Sequence, residues 1–285
     1  MNFISISDLS KKHIKSIFSM AEDIEEKREF LPLKDKTFLL FFPESSIRTR
    51  ITFEIAIKQL GGEHILFPPA SLDKRESLKD VAGYVDNWAD GIVIRHPDIK
   101  VIRNIAANCR IPVINAMTKE NHPCEILSDL YSIKKIRDDY LDLNYSFVGG
   151  TGNICNSWIN AGKVLGLNFT QICSKRFLKQ DIIESQSNIK SSEDLGDTIA
   201  ETDIVLTDSL SEEMKNDEYI NNYQITVELM GKAKNNVILN PCPPFYRGEE
   251  VSSDVIDSDY FVGYEFKKSL LFIHKAIILF CLENI

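Results

Sequence analysis

Ser46-Ile47-Arg48-Thr49-Arg50 gathers two guanidiniums and two hydroxyls into five residues. An apolar run, residues 37–42, precedes it, closed by Pro43. A run with Phe53, Ile55, Ala56, Ile57 and Leu60 follows, stopped by Gly61-Gly62. That pattern predicts a buried strand, a loop and a helix over 47–60. A helix start has free N–H groups and the positive end of the helix dipole, so with Arg, Ser and Thr beside it the segment suits a phosphate. The same residues would also serve as an ordinary capped and solvated helix start.

Other reactive residue types fall where predicted strands end. Arg95-His96-Pro97 closes the apolar run 91–95, and His122-Pro123-Cys124-Glu125 follows the run 112–115. Further on, Asn153, Asp208 and Cys242 stand in the same relation to later strands. Open parallel sheets bind their ligands at the carboxyl ends of strands, so the repetition carries more weight than any one residue. Singly, each has a plain alternative: a surface arginine, a helix-capping histidine, a turn aspartate. Gly149-Gly150-Thr151-Gly152 lacks the full G-x-G-x-x-G spacing and reads as a plain tight strand-to-helix turn in preference to a dinucleotide site.

The elements that must position these residues alternate. Ser7 or Asp8 is placed to cap a first helix with Ile14, Ile17, Phe18, Ala21 and Ile24 on one face. Strands are expected at 37–42, 63–67, 91–95 and 112–115, with helices between them and a helix of some fifteen residues after His122-Pro123. Ser77 caps a helix carrying Leu78, Val81, Tyr84, Val85 and Trp88. The second half repeats the pattern, with strands at 145–148, 168–173, 203–207, 236–239 and 259–263, a surface loop at 185–192 and a last helix at 265–284. This is an α/β chain of two doubly wound parallel-sheet domains with the active site in the cleft between them. The polar stretch 135–144 marks the boundary, giving domains 1–137 and 138–285, with helix 265–285 packing back on the first.

The 285 residues carry a net charge of −9, which favours neither nucleic acid nor an anionic membrane as partner. An anionic ligand would need a local basic pocket, which Arg48, Arg50 and Arg95 would supply. The six cysteines are scattered without a C-x-x-C pair, which argues against zinc and for reduced thiols in a cytoplasmic protein. No basic-then-apolar leader is present at the N-terminus, and the run 270–282 is short and interrupted for a membrane span.

Together the motifs resemble the aspartate/ornithine carbamoyltransferase family over nearly the full length. Ser46-Ile47-Arg48-Thr49-Arg50 with Phe53-Glu54 is similar to its S-T-R-T-R…F-E signature; Arg95-His96-Pro97 and His122-Pro123-Cys124-Glu125 are similar to its second and third, the latter usually H-P-x-Q. Thr207-Asp208, Tyr223-Gln224-Ile225-Thr226, Cys242-Pro243-Pro244 and Arg247 to Val251 lean to the ornithine branch. The resemblance implies that an amine attacks carbamoyl phosphate and phosphate leaves, with no metal, cofactor or covalent intermediate. It implies that Ser46, Ile47, Arg48, Thr49, Arg95, His122 and Glu125 bind carbamoyl phosphate, with Arg95, His122 and Thr49 polarising its carbonyl. It assigns Asn153, Asp208, Ser211, Cys242 and Pro243 to the acceptor, Cys242 beside the attacking amine. Lys74 and Arg75 match a loop that reaches a neighbouring subunit, implying a homotrimer.

The departures define the alternatives. Ile47 replaces a Thr, Glu125 a Gln, Pro241 a His, and Leu270 the family's late Arg; Ser211 is not followed by Met-Gly. Glu125 fits a protonated donor, a reader of a cationic acceptor (the preferred picture), or a site that has lost carbamoyl phosphate. The acceptor is ornithine or a related amine, since the second half lacks the basic residues that aspartate's second carboxylate needs. The rival is a catalytically weak paralogue serving as an anion-binding or subunit-interaction protein.

Overall fold

The computed structural model describes residues 1–26, 31–178 and 187–283. The chain forms two units: Met1–Lys135 with Lys267–Ile285, and Ile136–Phe266.

In the first unit α1 (Lys11–Glu26) is followed by β1 (Thr37–Phe41), α2 (Arg48–Gln59), β2 (Glu63–Phe67), α3 (Leu78–Val85), β3 (Gly91–Arg95), α4 (Ile99–Asn108), β4 (Val113–Met117) and α5 (Pro123–Ile136). The strands form a parallel sheet in the order β2-β1-β3-β4. β3 and β4 are buried along nearly their whole length, and apolar apart from Arg95 and Asn115. Gly91 is where β3 meets β1: a Cβ there would lie 2.4 Å from the Phe38 ring. The C-terminal helix (Ser269–Glu283) packs against α1 and α2, with His274 stacked on Phe53 at 3.7 Å between ring centres.

The second unit contains β5 (Asn144–Val148), α6 (Asn153–Leu165), β6 (Asn168–Ile172), β7 (Ile189–Ser192), β8 (Ile204–Thr207) and β9 (Ile238–Pro241), all parallel in the order β7-β6-β5-β8-β9. Val148, Ile172, Val205 and Leu239 from four of these strands share one apolar cluster with Ile225 and Val255.

Several expectations are corrected. Ser7 and Asp8 lie within a 3-10 turn, Ile6–Asp8; the first helix starts a turn later, where Ser10 Oγ accepts from the His13 N–H at 3.2 Å. The expected loop 185–192 contains edge strand β7, whose Lys190 and Ser191 face solvent and so hide the strand pattern; Ser185 and Gln186 lie outside the described residues. Residues 259–263 make an isolated bridge, Leu239 to Phe261, in place of a strand, and β9 sits two residues later than expected. Residues 264–268 form a 3-10 turn before the last helix. Tyr84 and Trp88 stack on each other but are exposed. No described helix is long and apolar enough to cross a membrane.

Candidate active site

In the first unit the reactive residues collect at the carboxyl ends of β1, β3 and β4. α2 begins without a side-chain cap, since Ile47 at its N-cap offers no oxygen. By contrast Ser77 caps α3 and Asp98 caps α4, each accepting a first-turn N–H. The start of α2 therefore keeps its N–H groups for another acceptor. Ser46 and Thr49 are buried there, and Arg95 Nη1 donates to Ser46 Oγ at 3.0 Å. The pairing of β3 with β4 shifts register between Ile94 and Arg95, a bulge of the kind that re-aims a side chain at a strand end. Arg48 is exposed on the first turn of α2, as is Ile47. Arg50, expected as a pocket cation, instead donates to Glu54 Oε1 at 2.7 Å, one turn along its own helix.

His122 is held by a network that no sequence motif announces. Asn115 Nδ2 donates to Ile4 O and to Asn121 Oδ1, Thr118 Oγ1 donates to Asn121 Oδ1, and Asn121 Nδ2 donates to Ile4 O, at 2.7–3.0 Å. These buried bonds lock the turn between β4 and α5. Burial lowers the pKa of His122 to about 4; Glu125 opposes the shift, while Arg95 and Lys267 add to it. His122 is thus a neutral imidazole at physiological pH, able to donate from one ring nitrogen without adding charge.

His96 fixes the next turn. Its Nδ1 accepts from the Asp98 N–H at 3.0 Å, so Nε2 carries the proton and donates to Asp73 Oδ1 at 2.9 Å. Asp73 ties down the root of the loop that carries Lys74 and Arg75, both exposed.

Glu125 lies on the first turn of α5, buried, with its Oε1 2.8 Å from Lys267 Nζ. The same ammonium donates to Asp129 Oδ1 at 2.5 Å. Burial would raise the Glu125 carboxyl, but the Lys267 charge, with His122, overrides this and holds it well below the usual carboxylate range. Glu125 is therefore an ionised acceptor, and the protonated-donor picture is set aside. The preferred picture is weakened as well, because the cation that Glu125 meets belongs to this chain. Lys267 gives no signal in the sequence: it sits in a polar turn and meets α5 across 142 and 138 positions.

In the second unit, Gly149 ends β5 with φ +151°, and Gln171 Nε2 donates to its carbonyl at 3.0 Å and to Thr151 Oγ1 at 3.2 Å. This tight turn delivers Asn153 to the first turn of α6, whose N-cap, Gly152, also lacks a side-chain oxygen. Thr207 Oγ1 donates to Val148 O, and the Cys242 N–H to Thr207 O at 2.8 Å, so Asp208 and Cys242 leave adjacent strands side by side. Asp208 Oδ1 accepts from the Ser209 N–H at 2.9 Å. Cys242 is buried, Pro243 half-buried and followed by a cis bond to Pro244, and Ser211 exposed, farther along the loop after β8. All six cysteines are free thiols, and the described residues hold no cluster with metal-ligand geometry.

Comparison with known proteins places the boundary between the two units in the same region, although the second match runs on through 267–281, which the structure groups with the first unit. Residues 1–135 match the aspartate/ornithine carbamoyltransferase carbamoyl-P binding domain, and residues 141–281 match that family's Asp/Orn binding domain. A protein from Syntrophus aciditrophicus (strain SB) named ornithine carbamoyltransferase is 32% identical over 295 residues, covering 97% of this chain and 98% of the relative. One of the same name from Campylobacter jejuni (strain RM1221) is 31% identical, covering 99% and 98%. Among solved structures, anabolic ornithine carbamoyltransferase from Campylobacter jejuni subsp. jejuni NCTC 11168 has a TM-score of 0.88 at 28% identity, covering 99% of each chain. The Burkholderia thailandensis E264 ornithine carbamoyltransferase has a TM-score of 0.91 at 26% identity, covering 99% of this chain and 98% of that one. Matches to both domains, over nearly all of the chain, define a carbamoyltransferase. The chain belongs to the aspartate/ornithine carbamoyltransferase family, in its ornithine branch.

Proposed function

We propose that this protein transfers the carbamoyl group of carbamoyl phosphate to the side-chain amine of ornithine, or of a closely related amine, giving citrulline or its analogue and phosphate. The observation that carries the reading is the uncapped start of α2 with Arg95 donating to buried Ser46 beside it. Ser46, Arg48, Thr49 and the N–H groups of 48–50 hold the phosphate; the Ile47 N–H donates to the Ser45 carbonyl at 3.1 Å, so Ile47 contributes by leaving the helix start uncapped. Arg95, neutral His122 and Thr49 draw charge onto the carbamoyl oxygen as the C–N bond forms; the C–O bond to phosphate then breaks and the amine gives up a proton. Asn153, Asp208 and Ser211 hold the amino-acid end of the acceptor, with Cys242 and Pro243 beside its amine. No cofactor enters this scheme.

We read the active form as a cytoplasmic homotrimer in which Lys74 and Arg75 complete a neighbour's site. Exposed Ile47, Ile51 and Ile55 on α2, with Ile65 and Phe67 on edge strand β2, give it an apolar surface to bury. With ornithine as acceptor the reaction is a step of arginine biosynthesis. The test is phosphate release from carbamoyl phosphate with a panel of amines, ornithine first, alongside light scattering. Rapid ornithine-dependent release from a trimer is the expected result. Release with no amine in the panel would favour the rival, an anion-binding or subunit-interaction protein.

A further inference from the structure

Glu125 and Asp129 stand one helical turn apart on α5, both buried and both bonded to one ammonium. Two carboxylates in that relation repel each other, and neither tolerates burial without a partner. Lys267 answers both demands, from the 3-10 turn that leads into the C-terminal helix. Leu270, where the family carries its late arginine, is buried and supplies no charge. We propose that Lys267 is a positioning residue for carbamoyl phosphate: clasped by Asp129, it fixes Glu125 as an ionised acceptor for the carbamoyl NH2 group. The inference rests on the carbamoyl-transfer reading above.

The chemistry is complementary. A carbamoyl NH2 presents two N–H donors and needs oxygen acceptors, which a carboxylate offers as readily as an amide oxygen. A bare carboxylate would also repel the phosphate, and the lysine charge at 2.8 Å offsets that repulsion. The groups facing Glu125 come from each element around it. His122 precedes α5, Asp129 lies on α5, Lys267 on the 3-10 turn and His274 on the C-terminal helix; Arg95, from β3, acts through His122. Burial keeps both histidines neutral, so Lys267 is the charge that decides the state of Glu125.

The test compares K267M, K267R and the compensated variant K267M/E125Q/D129N by carbamoyl phosphate kinetics across pH, with carboxyl-carbon NMR of labelled glutamate. K267M should raise the carbamoyl phosphate KM about tenfold or more with a smaller change in kcat. It should also bring a protonation of Glu125 into the neutral range, visible both in the pH profile and in a carboxyl signal that is flat in the wild type. K267R should recover most of the loss, and so should the compensated variant, because amides at 125 and 129 need no counter-ion. A folded K267M with wild-type KM and pH profile would overturn the proposal, as would a compensated variant that recovers nothing. If K267M does not fold, the compensated variant decides: folded and binding supports the role, unfolded or non-binding refutes it. The carboxyl signal reports Lys267's hold even if the wild type releases no phosphate with any amine, so failure of the transfer reading is distinguishable.

Discussion

The two units put reactive residues at the same place, the carboxyl edge of a parallel sheet, and secure them differently. In the first, buried and half-buried side chains hold one another, Arg95 on Ser46, Lys267 on Glu125 and Asp129, Asn115 on Asn121, with both asparagines also on the Ile4 carbonyl. In the second, bonds to the main chain hold the edge: Thr207 on the Val148 carbonyl, the Cys242 N–H on Thr207, Asp208 on the next residue's N–H. A site held by side-chain networks resists piecemeal change, because each substitution strands a buried partner. A site on main-chain ledges lets side chains vary while strand ends stay put. Departures from the family pattern fall in both halves, Ile47, Glu125 and Leu270 in the first, Pro241 and the residues after Ser211 in the second. At 125 the departure from the family's Gln is met by the charge of Lys267.

The comparison breaks most sharply at Arg95. Arg95→Ala removes a charge and leaves Ser46 without its donor, and should cost about 3–4 kcal/mol in kcat/KM, some hundredfold or more, with a small change in Tm. Steady-state kinetics on purified, folded protein check this. Asp208→Asn should act on the other substrate alone, raising the acceptor KM about tenfold or more while the carbamoyl phosphate KM stays within about twofold. A matched rise in both would mean that the halves are not separable as described. Asn121→Ala should lower stability by about 1–3 kcal/mol in denaturant titration and weaken carbamoyl phosphate, because buried partners in the turn before His122 lose their bonds.

The smallest effect at neutral pH comes from His274, whose influence grows only in acid. Burial lowers the pKa of His274 to about 3, from 6.5 in the unfolded chain. Between those values the unfolded chain binds more protons, so stability falls as pH drops through that window, by about 1.4 kcal/mol per unit at most. His122 adds a loss of the same sign between 6.5 and about 4. His274→Phe, stacked on Phe53 in the same place, should flatten the decline without changing stability at neutral pH by more than about 1 kcal/mol. Tm measured from neutral to acid pH checks the slope.

Much of the fold is legible in the sequence because parallel sheets advertise themselves. β1, β3 and β4 are apolar runs bounded by turns, and the residues just beyond them stand out as candidates by type and position alone. β7 escapes such a reading because Ile189-Lys190-Ser191-Ser192 is an edge strand with solvated side chains, and its composition is that of a loop. The start of α1 is ambiguous in the sequence because Ser5, Ser7, Asp8 and Ser10 all offer a capping oxygen within two turns. The ledge residues of the second unit are readable one by one. The side-chain networks of the first are not, since Asn115 reaches Ile4 and Lys267 reaches Glu125 over more than a hundred positions.

The return of the C-terminal helix to the first unit has a consequence for how the protein is made. A chain emerging from the ribosome can fold the 136–266 unit as one continuous piece. The earlier unit must wait with the apolar face of α1 uncovered, and with Glu125 and Asp129 lacking their cation, until the later residues arrive. The half that was translated first is thus the half that matures last, and carbamoyl phosphate chemistry should switch on only when synthesis has passed Lys267 and the helix has docked.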